Sequence, residues 1–131
     1  MQVRNAMGGS VDTCSPEDNL VDTARRMKEL GHGALAVTVS GDLVGIITER
    51  DLLRAITDRL DSDRAQVGEL MTPNPDSLDP EVDVRDAADK MLAAGYRHLP
   101  VVAKGKLLGM VSIKDILWAM TVKDILWGLD R

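Results

Sequence analysis

The stretch GIITERD, Gly45 to Asp51, returns as GMVSIKD, Gly109 to Asp115, at an offset of 64 residues. The repeat extends well beyond that motif. Laying residues 2–57 over 66–121 without a gap pairs Val3 with Val67, Met7 with Met71, Asp12 with Asp76 and Pro16 with Pro80. Asp22/Asp86, Met27/Met91, Gly31/Gly95, Leu35/Leu99, Val37/Val101 and Gly41/Gly105 follow, and about a third of the aligned positions are identical. Whatever one copy folds into, the other must fold into as well. Two copies of so long a period make a paired module, not a solenoid. The sequence divides into a first repeat over 1–60, a polar connector over 61–66, a second repeat over 67–121 and a helical extension over 122–131.

Each copy carries the same local signals. Ser15-Pro16-Glu17-Asp18 and Asp79-Pro80-Glu81 read as helix starts, with a capping residue, proline at the first helical position and acids in the first turn. Leu20, Ala24 and Met27, then Val84, Ala88 and Met91, follow at helical spacing. Gly31 and Gly95 fall where a helix would end. The runs ALAVTV and HLPVVA read as strands, and LVGII and LLGMV close hairpins through the turns SGD and KGK. A second helix is predicted from about Glu49 and Ile113. The expected order in each copy is β-α-β-β-α, an α/β (α+β) pattern too small to be comfortable alone.

Composition bounds the function. The net charge of −5 and pI of about 4.9 argue against nucleic acid and anionic membranes as partners. Aromatic residues are only 2%, which leaves few platforms for stacking bases. Cys14 is the only cysteine, so no intrachain disulfide can form. No apolar run reaches the roughly 18–20 residues that span a bilayer, and the first residues lack the apolar core of a signal peptide. The expected location is the cytoplasm, with no membrane association.

The repeated turn admits two readings. Thr48-Glu49-Arg50-Asp51 has the spacing of a capping box, in which a hydroxyl accepts from an early helix amide and the acid reaches back. The same geometry sets amides and the positive end of a helix dipole beside the hydroxyl, where a phosphate could sit. A carboxylate one turn along can accept two hydrogen bonds from a vicinal diol such as a ribose. Capping by itself does not account for the preceding glycine, Gly45 or Gly109.

The duplicated pattern, the runs ALAVTVSGDLVGIITERD and HLPVVAKGKLLGMVSIKD, and MT-x-x-P at Met71–Pro75 resemble CBS (cystathionine-β-synthase) domains, which come in tandem as Bateman modules. The resemblance covers residues 2 to about 121. It implies two repeats related by pseudo-twofold symmetry, with two clefts that bind adenosine-containing ligands. One cleft would combine Ile46, Thr48, Arg50 and Asp51 with Pro75, Asp76, Arg97, His98 and Pro100. The other would combine Met110, Ser112, Lys114 and Asp115 with Val11, Asp12, Gly33, Ala34 and Ala36. Asp51 and Asp115 would hold ribose hydroxyls, and Thr48 and Ser112 would meet the phosphate region. Arg97 and His98 give the first cleft an expected preference for nucleoside phosphates, since a charge-assisted hydrogen bond is worth ~1.5–3 kcal/mol. Ala36 stands where Pro100 stands, a departure from the family's A-L-P run.

Other residues carry less. Two histidines and one cysteine without ligand spacing do not make a metal site, and Lys104–Lys106 lacks the pattern of a phosphate loop. His32 reads as a surface residue and Cys14 as a small buried one. The run KDILW occurs at Lys114–Trp118 and again at Lys123–Trp127. Nine residues turn an ideal helix by about 900°, which puts the two sets on opposite faces. Either the chain breaks near Thr121–Val122, or the second set seeks another partner; Ile125, Leu126, Trp127 and Leu129 read as a homodimer contact, with simple packing within the chain as the alternative.

The sequence holds no nucleophile–base pair, so no enzyme is expected. The expected function is a regulatory, ligand-sensing module that takes AMP, ADP or ATP in its clefts and requires no cofactor. Its effector would be a separate protein or a second copy. The rival is a purely structural homodimerisation module with non-functional clefts.

Overall fold

A computed structural model describes the backbone of residues 1–8 and 11–129, with side chains as far as Thr121. The chain forms two compact units, one spanning Asp12–Pro75, the other Met1–Val11 together with Asp76–Arg131.

The Asp12–Pro75 unit contains β1 (Thr13–Cys14), α1 (Leu20–Leu30), β2 (Ala34–Val39), β3 (Asp42–Thr48), α2 (Glu49–Thr57), α3 (Val67–Leu70) and β4 (Thr72–Pro73). Its sheet runs β1-β2-β3-β4, with β1 parallel to β2 and the other pairs antiparallel. Ser40 and Gly41 both take positive φ, 51° and 83°, between the paired residues Val39 and Asp42. That is the two-residue turn whose twist matches the strands it joins. Strand alternation sends Leu35, Val37 and Ile47 to one face, where they pack with Leu20 and Met27 of α1 and Ala55 of α2. Cys14 lies in the same core, and burial pushes its thiol up to about 11, with the Asp18 carboxylate adding to the shift.

The other unit repeats the plan with α4 (Val84–Ala94), β5 (His98–Ala103), β6 (Lys106–Ser112) and α5 (Ile113–Leu129). Where β1 would recur there is a single parallel bridge, Leu78 to Val101. Leu99, Val101, Val111, Ile116 and Met91 fill its core. The mixed α/β architecture of two β-α-β-β-α repeats is therefore present, with the leading strand of each reduced to two residues or one. The helix α5 is one element from Ile113 to Leu129. The side chains of Ile125, Leu126, Trp127 and Leu129 lie outside the described residues.

The first helix of each repeat begins four residues later than its proline suggests. Asn19 caps α1 by accepting from the Asp22 amide at 2.8 Å, and Asp83 caps α4 by accepting from the Arg85 amide at 2.9 Å. Pro16 and Pro80 sit in turns instead. The first is closed by the Asp18 amide on the Ser15 carbonyl at 3.1 Å, the second by the Val82 amide on the Asp79 carbonyl at 3.2 Å. A proline φ near −65° suits the second position of a turn as well as a helix start, and the side chains decided between them.

Spatial units and sequence repeats do not share boundaries, because the leading segment of each repeat is traded. Val67, at the start of the second repeat, is fully buried in the Asp12–Pro75 unit, and Val3 is fully buried in the other. The same backbone bonds hold both. Val67 and Gly68 donate to the carbonyls of Asp18 and Pro16, each at 2.8 Å; Val3 and Arg4 donate to Val82 and Pro80 at 2.8 and 3.0 Å. This docking also explains the glycine before each hydroxyl. A Cβ built on Gly45 would lie 2.5 Å from Met71 Sδ and 3.0 Å from the Thr72 carbonyl oxygen; one on Gly109 would lie 2.9 Å from Met7 Sδ. Each glycine is the seat of a methionine delivered by the traded segment. Gly45→Ala is expected to cost ~1–3 kcal/mol in urea denaturation, because the Thr72 backbone cannot rotate away. Gly109→Ala faces only the flexible Met7 and should cost less than about 1 kcal/mol. Equal losses would contradict this account of the glycines.

Candidate functional site

In each repeat the second hairpin strand runs directly into a helix, and the residue at the junction is the hydroxyl. Thr48 closes β3 and caps α2. Its Oγ1 accepts from the Asp51 amide at 3.4 Å, while Asp51 Oδ2 accepts from the Thr48 amide at 2.8 Å and from the Thr48 hydroxyl at 3.1 Å. At the other junction the Asp115 amide donates to Ser112 Oγ at 3.1 Å, and Asp115 Oδ2 accepts from the Ser112 amide at 2.9 Å. Both turns are capping boxes. The first amide of each helix is also used, by Glu49 on the Gly33 carbonyl at 3.0 Å and by Ile113 on the Arg97 carbonyl at 2.8 Å. Two of the first three amides are thus committed within each unit, which narrows the room for a phosphate at the helix start.

The two carboxylates differ in what else they meet. Asp51 is 6% exposed and its Oδ1 accepts from Arg54 Nη2 at 3.3 Å. Asp115 is half-buried, and among the described residues only its Oδ2 is engaged. The sequence offered a signal for Arg54 that went unused: an acid followed three residues later by a base lies on one helix face.

The remaining candidates fall as follows. In the Asp12–Pro75 unit, Ala34 pairs with Thr48 and Ala36 with Ile46 across β2 and β3. Gly33 supplies its carbonyl to α2, Arg50 is exposed on the first turn of that helix, and Pro75 ends the unit. In the other unit, His98 pairs with Ser112 and Pro100 with Met110 across β5 and β6, Arg97 supplies its carbonyl to α5, and Lys114 is exposed. Val11 and Asp76 belong to this unit as well.

Asp12 and Asp76 each have a partner that sequence reading missed. Asp12 Oδ2 lies 3.5 Å from His32 Nδ1, and Asp76 Oδ2 accepts from the Tyr96 hydroxyl at 2.5 Å. That hydrogen bond raises the Tyr96 pKa. His32 and Tyr96 occupy the same repeat position, so the acid at 12/76 is held from 32/96 in both copies.

Residues 3–58 and 67–122 each match the family model of the CBS domain. The chain belongs to the CBS-domain family. The CBS domain-containing protein YhcV of Bacillus subtilis is 31% identical over 114 residues, covering 87% of this chain and 81% of that protein. The CBS-domain containing protein ATU1752 from Agrobacterium tumefaciens superposes with a TM-score of 0.85 at 29% identity, over 92% of this chain and 99% of that one. The CBS domain pair of protein MJ0100, solved with 5-methylthioadenosine and S-adenosyl-L-methionine, gives a TM-score of 0.84 at 23% identity over 92% and 99%. Other relatives are longer. This CBS pair spans 62% of an uncharacterized 17.7 kDa protein of Acidianus ambivalens and 22% of an inosine-5'-monophosphate dehydrogenase of Korarchaeum cryptofilum.

In this CBS pair the hydroxyls are structural before any ligand arrives. Thr48→Ala and Ser112→Ala should each cost ~0.5–2 kcal/mol in urea denaturation of the ligand-free protein. No loss in either variant would mean that the boxes do not cap their helices.

Proposed function

We propose that this CBS pair is a regulatory module that binds adenosine-containing nucleotides of the AMP, ADP or ATP type. The observation that carries the reading is the duplicated junction, where a hydroxyl and a carboxylate meet at a helix start. At Ser112/Asp115 the carboxylate has one oxygen committed to its own helix. A ribose offers two adjacent hydroxyl donors, and a carboxylate has about four lone-pair sites to receive them. The residues assigned to the two sites from the sequence are proposed with it as the nucleotide-contacting set. The MJ0100 complex is a case of adenosine compounds in a pair of this fold, and at 23% identity the likeness extends to the fold alone. Binding would act by population shift, favouring one state of the pair that a partner reads.

The test is a thermal-shift panel with AMP, ADP, ATP, an adenine dinucleotide and S-adenosylmethionine. Wild type is compared with Asp51→Asn and Asp115→Asn, which keep the side-chain shape and remove the charge. A ligand at 100 times its dissociation constant adds about 2.7 kcal/mol, a shift of several degrees in a chain of this size. A shift with at least one ligand, reduced in an aspartate variant, is expected. Flat curves for all five would overturn the adenosine reading and leave the structural homodimerisation module.

A further inference from the structure

The two repeats share the hydroxyl, the carboxylate, both cap bonds and the carbonyl on the first helix amide. They part company one turn further along the helix. Arg54, with 54% of its side chain exposed, donates from Nη2 to Asp51 Oδ1 at 3.3 Å and to the Leu70 carbonyl at 3.1 Å. A guanidinium Nη carries two hydrogens, so both of this one's are committed. One goes to the carboxylate and the other to the end of α3. The equivalent residue of the second repeat is Trp118, which is 70% exposed and brings no cation.

A carboxylate offers about four acceptor sites. Asp51 has three in use, by the Thr48 amide, the Thr48 hydroxyl and Arg54. Asp115 has one in use among the described residues, by the Ser112 amide. A vicinal diol donates twice. Asp115 can accept both hydrogens as it stands, whereas Asp51 can accept both only when a present donor leaves. The Thr48 amide is fixed by the backbone. The Thr48 hydroxyl shares Oδ2 with that amide, and the half-exposed Arg54 is the donor on Oδ1, the oxygen that the cap does not use.

We propose that Arg54 is an internal competitor for sugar hydroxyls at Asp51, so that Ser112/Asp115 is the half-site that fills first. The inference rests on the adenosine reading and adds to it an order of occupancy and the residue that sets it. The pair holding Asp51 is partly solvent-screened, so its effect is modest. The apparent affinity falls by the fraction of molecules in which Arg54 has swung away.

The experiment uses adenosine, whose lack of phosphate removes any long-range attraction to the arginine. Isothermal titration compares Asp115→Asn, which leaves the Asp51 half-site, with Asp115→Asn carrying Arg54→Gln. Arg54→Gln is expected to tighten adenosine binding by about one-and-a-half- to fivefold, the range set by a partly exposed ion pair. In a protein carrying Asp51→Asn the same change should leave affinity unaltered. Arg54→Met, which keeps the aliphatic stem, replaces the glutamine variant if that one does not melt cooperatively. Unchanged or weaker binding at the Asp51 half-site would overturn the competitor role and leave the adenosine reading intact. Absence of adenosine binding in wild type and every variant would overturn both.

Discussion

The leading segment of each repeat is held by the turn before the first long helix of the unit it joins, and most of the site's geometry depends on that docking. Two backbone bonds, from Val67 and Gly68 in one unit and from Val3 and Arg4 in the other, fix the segment. Behind them come a fully buried valine and, four residues on, a methionine. The thioether of Met71 or Met7 then lies against Gly45 or Gly109, three residues before the hydroxyl. The strand end that carries Thr48 or Ser112 is thus braced by a part of the chain that its own repeat does not encode. A repeat cut out at its sequence boundaries would lack its valine and its methionine.

At the junction itself, the proposed recognition would draw on the atoms that cap the helix. Asp51 and Asp115 cap their own helices through one oxygen; the other accepts from Arg54 in Asp51 and has no partner among the described residues in Asp115. A ligand that asks only for the second oxygen leaves the cap intact, so a diol can be held without unwinding the helix. A ligand that needs the hydroxyl must compete with it. On the proposed reading, the sugar comes ahead of the phosphate at this turn, and the two copies differ. The sequence-based expectation that the Thr48/Asp51 half-site prefers nucleoside phosphates rests on Arg97 and His98. Under the proposal, Arg54, on the same helix as Asp51, leaves Ser112/Asp115 the first to take an uncharged sugar.

Much of this was legible in the residues. The duplication named the equivalent positions, Ser40-Gly41 and Lys104-Gly105 marked the hairpins, Gly31 and Gly95 ended the helices in left-handed conformation, and the second helices begin at Glu49 and Ile113 as read. The misplaced starts of α1 and α4 arose because proline at a first helical position and proline in a turn present the same local sequence. Capping does not account for the glycine before the hydroxyl; its neighbour is a methionine 26 residues away for Gly45, a contact that no local pattern encodes. His32 and Tyr96 looked unrelated as residue types. Only their shared partner position, Asp12 and Asp76, shows that they sit beside the same acid in each repeat.

The central claim is that the open oxygen of an aspartate at the head of a helix receives a sugar diol. Equilibrium binding of adenosine against 2',3'-dideoxyadenosine tests it most directly, since the two differ only in the hydroxyls the carboxylate would accept. Loss of those hydroxyls should weaken binding by about tenfold or more, the equivalent of one to two hydrogen bonds to a charged group. Equal affinity for the two nucleosides would contradict the account, because it would mean that the base is held without the aspartate.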